Sequence, residues 1–220
     1  LNYYFQQDYK TALQYYERAL EIRNKIGDKQ GVALAYNNIG IVYYFLNNLE
    51  KVVDYFHKAL NIYEELGDIR GQSLPLYNIA EIYFEQKRYQ EALNYYNKSL
   101  EIDRKVGDKA SIAMSYYSIG NVYVALNNYD EAIKKQKEAI QIAQEIAANP
   151  ILKEGYFHLS STYEKMMNYK ESLKYYKLYS ALKDSIYNTE KSAQIAEIKS
   201  KYETEKKQEQ IDLLQKEQAI

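Results

Sequence analysis

The stretch Ile26-Gly27-Asp28-Lys29-Gln30-Gly31-Val32-Ala33-Leu34-Ala35-Tyr36-Asn37-Asn38-Ile39-Gly40-Ile41-Val42-Tyr43 decides the fold, because its landmarks return at a fixed step. Ile26-Gly27-Asp28 comes back as Leu66-Gly67-Asp68 and Val106-Gly107-Asp108, each 40 residues after the last. Tyr36, Ile39, Gly40 and Tyr43 come back as Leu76, Ile79, Ala80 and Tyr83, then as Tyr116, Ile119, Gly120 and Tyr123, and finally as Tyr156, Leu159, Ser160 and Tyr163. A second series begins with Ala12 and Tyr16 and continues as Val52/Phe56, Ala92/Tyr96 and Ser172/Tyr176, with Gln136 the discordant partner of Ala132. Self-similarity without gaps over this length identifies a repeat architecture.

Spacings of three, four and seven place these residues on one stripe of a helix. The small member of the stripe (Gly40, Ala80, Gly120 or Ser160) lets a neighbouring helix approach, and Ala19, Ala59 and Ser99 are expected to do the same on the second helix. Each repeat therefore reads as a helix A and a helix B packed antiparallel. The flank left apolar is covered by the next pair, so a single pair is not stable alone. The chain is expected to be all-α, a right-handed superhelical solenoid of antiparallel helix pairs followed by a long C-terminal helix.

The punctuation agrees. Gly27, Gly67 and Gly107 suit the left-handed position that ends helix B, and Asp28, Asp68 and Asp108 suit the N-cap of the next helix A. At the fourth junction Asn149-Pro150 reads as a cap followed by proline at the first helical position. Asn47-Asn48, Lys87-Arg88 and Asn127-Asn128 mark the turn from A to B. Pro75 falls deep inside a helix A, where it removes a hydrogen bond to Gly71; a kink or a delayed start around 71–73 is expected.

The boundaries follow: a partial repeat over 1–30, repeats over 31–70, 71–110, 111–150 and 151–188, and a polar helix over 189–220. Tyr3 is in phase with Tyr43, so the sequence begins at Leu1 inside a helix A, and the rest of that helix is expected upstream in a longer parent.

Composition narrows the function. Of 220 residues only two are proline and eight glycine, and cysteine and tryptophan are lacking. Thiolate metal sites, thiol catalysis and disulfides are thereby excluded. A formal charge of −1 is not that of a nucleic-acid binder. No apolar run approaches the roughly 18 to 20 residues that span a bilayer. Phosphate-binding glycine loops, nucleophile elbows and paired metal motifs are missing, and His57 and His158 stand alone on different helices. No cofactor, metal or catalytic role is expected. Lys134, Lys135 and Lys137 form a small basic patch expected to face solvent.

The pattern Tyr36-x2-Ile39-Gly40-x2-Tyr43, followed by Ala-x3-aromatic, resembles the tetratricopeptide repeat, whose usual period is about 34. The longer period here is similar to that of kinesin-light-chain-like and bacterial peptide-sensing arrays. The resemblance covers about residues 1–188. A second one lies in the tail: Tyr176-Lys177-Leu178-Tyr179, Leu182-Lys183-Asp184-Ser185-Ile186 and Lys201-Tyr202-Glu203-Thr204-Glu205-Lys206 resemble the segment that follows the repeats in bacterial sensors of this type. That resemblance implies the sensory region of a histidine kinase or transcription regulator, periplasmic by preference, with the cytoplasm as the alternative. Two other readings stay open: a scaffold or adaptor that does not switch, and a peptide-regulated phosphatase-type array whose catalytic side chains find no match here.

In such arrays the face of helix A opposite the core stripe lines a concave groove. It carries Leu34, Asn37, Ile41 and Tyr44, then Leu74, Tyr77, Glu81 and Phe84, then Met114, Tyr117, Asn121 and Val124, then Glu154, Phe157, Ser161 and Glu164. Asn38 and Asn78 sit at its margin. The candidate partner-binding residues are Asn37, Asn38, Ile41, Tyr44, Tyr77, Asn78, Glu81, Phe84, Tyr117, Asn121 and Phe157. Aromatic rings supply contact area, and asparagine can pair with both polar groups of a peptide backbone. A protein or extended peptide is the expected partner, and Glu81, Glu154 and Glu164 favour a neutral or basic one. The alternative is that these residues pack against neighbouring helices A or face water.

In the tail, Ile195, Ile198 and Tyr202 fit the start of a heptad seam, and Ile211, Leu213 and Leu214 form a second apolar cluster. Polar residues 203–210 break the register, and a continuous coiled coil needs it sustained. Residues 189–220 thus read as a solvated helix capping the last repeat, as a signalling helix or homodimer interface, or as disordered.

Overall fold

The computed structural model describes the backbone of residues 8–218 and the side chains of residues 8–208, apart from those at 190, 193, 195, 198, 202 and 205. The tail residues Ile195, Ile198, Tyr202, Ile211, Leu213 and Leu214 lie outside the described side chains. Within these limits the chain is wholly helical: α1 (Tyr9–Lys25), α2 (Lys29–Phe45), α3 (Leu49–Glu65), α4 (Ile69–Glu85), α5 (Tyr89–Val106), α6 (Lys109–Ala125), α7 (Tyr129–Glu145), α8 (Asn149–Lys165) and α9 (Tyr169–Gln218). Even-numbered helices are the A members and odd-numbered ones the B members. Each packs on its sequence neighbours, and α6 also meets α8, building a right-handed solenoid of antiparallel pairs.

The reason lies in the junctions. Gly27, Gly67 and Gly107 take φ of 73°, 65° and 77°. At the first, Asp28 N–H donates to the Arg23 carbonyl and Gly27 N–H to that of Asn24, which closes the helix end. The Asp28, Asp68 and Asp108 carboxylates then accept from Gly31, Gly71 and Ser111 N–H at 2.9, 2.9 and 3.1 Å. At the A-to-B turns the left-handed residues are Asn47, Lys87, Asn127 and Met167, with φ between 56° and 61°. Asn48 and Asn128 cap the following helices, whereas Arg88 makes no side-chain cap.

Two expectations are corrected. At the fourth junction the cap is Ala148, without a side-chain bond, and Asn149 and Pro150 are already helical. Ala147 holds the left-handed position there, at φ 51°, where the earlier junctions have glycine. The 40-residue register thus overrides the local resemblance of Asn-Pro to a cap. Of the kink or delayed start expected at Pro75, the delayed start is absent: α4 is helical from Ile69 and its first turn is fastened by Asp68. The Pro75 ring is buried, and that packing offsets the bond it cannot make.

Close approach at the small residues holds the pairs together. A Cβ on Gly40 would lie 2.7 Å from Phe56 Cε1, and one on Gly120 would lie 2.9 Å from Gln136 Cγ. Ala80 and Ser160 fill the same slot, buried. On the B helices Ala59 and Ser99 are buried, while Ala19 is half-exposed.

The 50-residue α9 is about 75 Å long at 1.5 Å per residue. Its first third closes the array: Tyr175, Tyr179 and Leu182 pack on Tyr156, Leu159 and Tyr163. It then runs on without a break at 188–189, its described side chains from Tyr187 exposed. No helix among the described residues is long and apolar enough to cross a membrane.

Candidate functional site

The A helices line one face of the solenoid, and a ladder of contacts crosses it from each repeat to the next. Asn78 Nδ2 donates to Asn37 Oδ1 at 3.0 Å, and Tyr77 shares a hydrogen bond with Ser118 at 2.8 Å. The Tyr117 ring meets His158 edge-on at 4.5 Å between centroids. Each rung joins one register position of helix A to the following position in the next repeat.

The candidate residues therefore divide. Asn37 is only 2% exposed, so its amide serves the ladder and not the open face. Asn38, Ile41, Asn78, Phe84 and Asn121 are half-buried. Half-buried Tyr44 donates to Glu85 at 2.5 Å. Glu81 accepts from Tyr96 at 2.5 Å and from Ser118 at 3.0 Å, so its carboxylate ties helices α4, α5 and α6 together. Phe157 is exposed and packs on Tyr179 of α9 at 5.2 Å.

Burial sets the titration of this face. Tyr77 and Tyr96 are pushed far above the usual phenol value, first by burial and then by the Glu81 charge, so both hydroxyls stay protonated. Burial likewise pushes Tyr117 up to about 12. It pulls His158 below the ordinary imidazole value against the opposing pull of Glu154, so the ring facing Tyr117 is neutral near pH 7.

Two clefts open on the groove. Ile41, Tyr44, Asn78, Glu81 and Glu85 line one of about 310 Å³, and Tyr77, Met114, Tyr117, Ile151 and Glu154 line another of about 260 Å³. Beside them runs an exposed apolar row at one register position: Leu34 at 43%, Leu74 at 51% and Met114 at 44%, ending at Glu154. Among the described residues no group of three or more His, Cys, Asp or Glu is placed to hold a metal. Lys135 of the basic patch is half-buried over the Tyr116 ring, at 5.0 Å. Ser118 was not among the candidates. Its signal was present in the sequence, since residues 38, 78, 118 and 158 are all polar.

The sequence profile of the tetratricopeptide repeat matches residues 1–65 and 72–145, most of the array just described. The chain belongs to the tetratricopeptide repeat family. No curated protein matches its sequence. Several solved structures share its fold. The apo form of RapI is 24% identical with a TM-score of 0.76, over 88% of this chain and 70% of that one. A Rap protein complexed with competence and sporulation factor is 23% identical with a TM-score of 0.72, over 86% of this chain and 54% of that one. A signal transduction ATPase with a tetratricopeptide repeat sensor, from Pyrococcus horikoshii, is 23% identical with a TM-score of 0.70, over 84% of this chain but 30% of that one. At these identities the likeness is one of fold.

Proposed function

We propose that this tetratricopeptide array is the partner-binding sensory region of a bacterial signalling protein, a histidine kinase or a transcription regulator. The groove takes a protein segment or extended peptide against Leu34, Leu74 and Met114, with Asn38, Asn78, Asn121 and Tyr117 at hand for its backbone. The observation that carries the sensing role is the contact of Phe157 with Tyr179. One ring is exposed in the groove and the other belongs to α9, so a ligand pressing on Phe157 acts one contact away from the helix that leaves the array. The Rap structure complexed with a factor and the Pyrococcus array described as a sensor support the same reading by analogy of fold.

A pair of spin labels tests it, one on exposed Asn61 of α3 and one on exposed Lys199 of α9. A peptide from a random extended library that binds the wild-type chain is expected to shift the distance distribution between them. Binding without any shift would leave a scaffold that does not switch.

A further inference from the structure

One register position of helix B faces the start of the next helix A, and its occupants are matched in size. Arg23 donates to the Gly31 carbonyl, and a Cβ on Gly31 would meet the capping Asp28 carboxylate first, at 1.9 Å, and then the Arg23 Cδ, at 2.9 Å. Tyr63 lies so close to Gly71 that a Cβ there would stand 2.2 Å from its ring. At both junctions a large side chain occupies the room that a glycine leaves. The next junction breaks the match, with Asp103 and Ser111, neither of them large. A cleft of about 250 Å³ opens where the bulk is missing.

Its floor is polar and acidic. Asp103 is 4% exposed and accepts from the Ser73 hydroxyl, and Ser99 lies 3.0 Å from that hydroxyl. Among the described residues no ion pair reaches Asp103. A carboxylate has about four acceptor positions, so hydroxyl donors leave capacity for a stronger partner. Burial raises this carboxyl above the usual carboxylate range, with nearby Asp108 adding to the shift. Both signs mark a charge held without its counter-ion. Exposed Arg70 and Asp108 also line the cleft and offset each other in charge. The mouth is apolar, formed by Leu74, Tyr77 and Met114 of the groove face. An acidic floor under an apolar collar matches an aliphatic stem that ends in a cation.

We propose that this cleft receives a lysine or arginine side chain of the bound partner, with Asp103 as its counter-ion and Leu74 and Met114 along its stem. The proposal rests on the groove being the partner site. Loss of one charged hydrogen-bonding partner corresponds to a factor of about ten or more in affinity.

The test uses the whole chain and two fluorescent pools of extended peptides, identical except that one carries arginine where the other carries citrulline. Fluorescence anisotropy is expected to show the arginine pool binding about tenfold or more tightly, and D103N is expected to remove that advantage while leaving citrulline binding intact. The double variant D103A/S111I, which installs the residues found 40 positions on as Ala143 and Ile151, is expected to behave like D103N and keeps the test open if D103N fails to fold. Equal binding of the two pools to the wild-type chain would overturn the cleft assignment and leave the groove standing. An arginine advantage that survives in the folded variants would do the same. Binding of neither pool would overturn the groove reading, and the cleft with it.

Discussion

Tyr77 on α4 and Ser118 on α6 share a hydrogen bond at 2.8 Å although 41 residues of chain separate them. The same offset joins Asn37 to Asn78 and Tyr117 to His158. Successive repeats are thus tied along the groove floor as well as through the core between helices A and B. A solenoid's stability is a sum of repeat terms and neighbour interfaces, so these rungs belong to the interface terms.

Removing a rung has a definite expected cost. Y77F is expected to lower unfolding free energy by about 1 kcal/mol, the net worth of one hydrogen bond. E81A is expected to cost more, about 2 to 4 kcal/mol, because the Tyr96 and Ser118 hydroxyls both lose their acceptor at partly buried positions. Urea melts followed by circular dichroism measure both.

The fourth junction can be improved. Ala147 stands in the left-handed region at φ 51°, and Ala148 caps α8 with no side-chain bond. A147G relieves a cost of about 1 kcal/mol, and A148D supplies a cap worth about 1 kcal/mol. The pair is expected to raise the melting temperature, whereas G107A, at φ 77°, is expected to lower it.

Gln136 and Thr162 make a polar contact where other repeats are apolar. Thr162 donates to Gln136 Oε1 at 3.0 Å, but Gln136 Nε2 is buried without a partner. The earlier equivalents are Phe56 with Ile82 and Tyr96 with Val122. Gly120 leaves room beside Gln136 as Gly40 does beside Phe56. Q136F/T162V is therefore expected to stabilise the array by about 1 to 3 kcal/mol. Denaturant melts of both single variants and the double variant are expected to show a gain in the double that exceeds the sum.

His158 gives the array a pH dependence of known sign. Its value in the folded chain is depressed by burial, so the unfolded chain takes up more protons as pH falls below about 6.5. The contribution is intact above that pH and is lost as pH falls toward the depressed folded value. H158F is expected to flatten the fall in unfolding free energy as pH drops below about 6.5, the ordinary imidazole value. An unchanged slope would show that other groups carry it.

The period was legible in the sequence because its markers act locally: Gly27 and Asp28 end one helix and begin the next with bonds of their own. The fourth junction was misread because Asn149-Pro150 has the local chemistry of a cap, while the packing of the three preceding pairs fixes the register. For Pro75 the local rule met a helix already fastened by Asp68 and a ring wanted in the core. The groove was legible only as a face. Asn37 and Asn78 read alike as amides open to a partner, yet Asn37 is buried and accepts from Asn78, whose own carbonyl stays on the groove face. Which amide a neighbouring repeat consumes depends on the rotation between repeats, which a linear pattern does not encode.

The central claim is that the face carrying Leu34, Leu74 and Met114 holds a partner. It is tested most directly by the affinity of an extended-peptide library for the wild-type chain and for L34S/L74S/M114S. These exposed side chains contribute little to folding, within about 0.5 kcal/mol each, so the variant is expected to melt like the wild type. It is also expected to lose binding by about tenfold or more, the equivalent of about 1.4 kcal/mol or more of apolar contact. Equal affinity of the folded variant and the wild type would contradict the account.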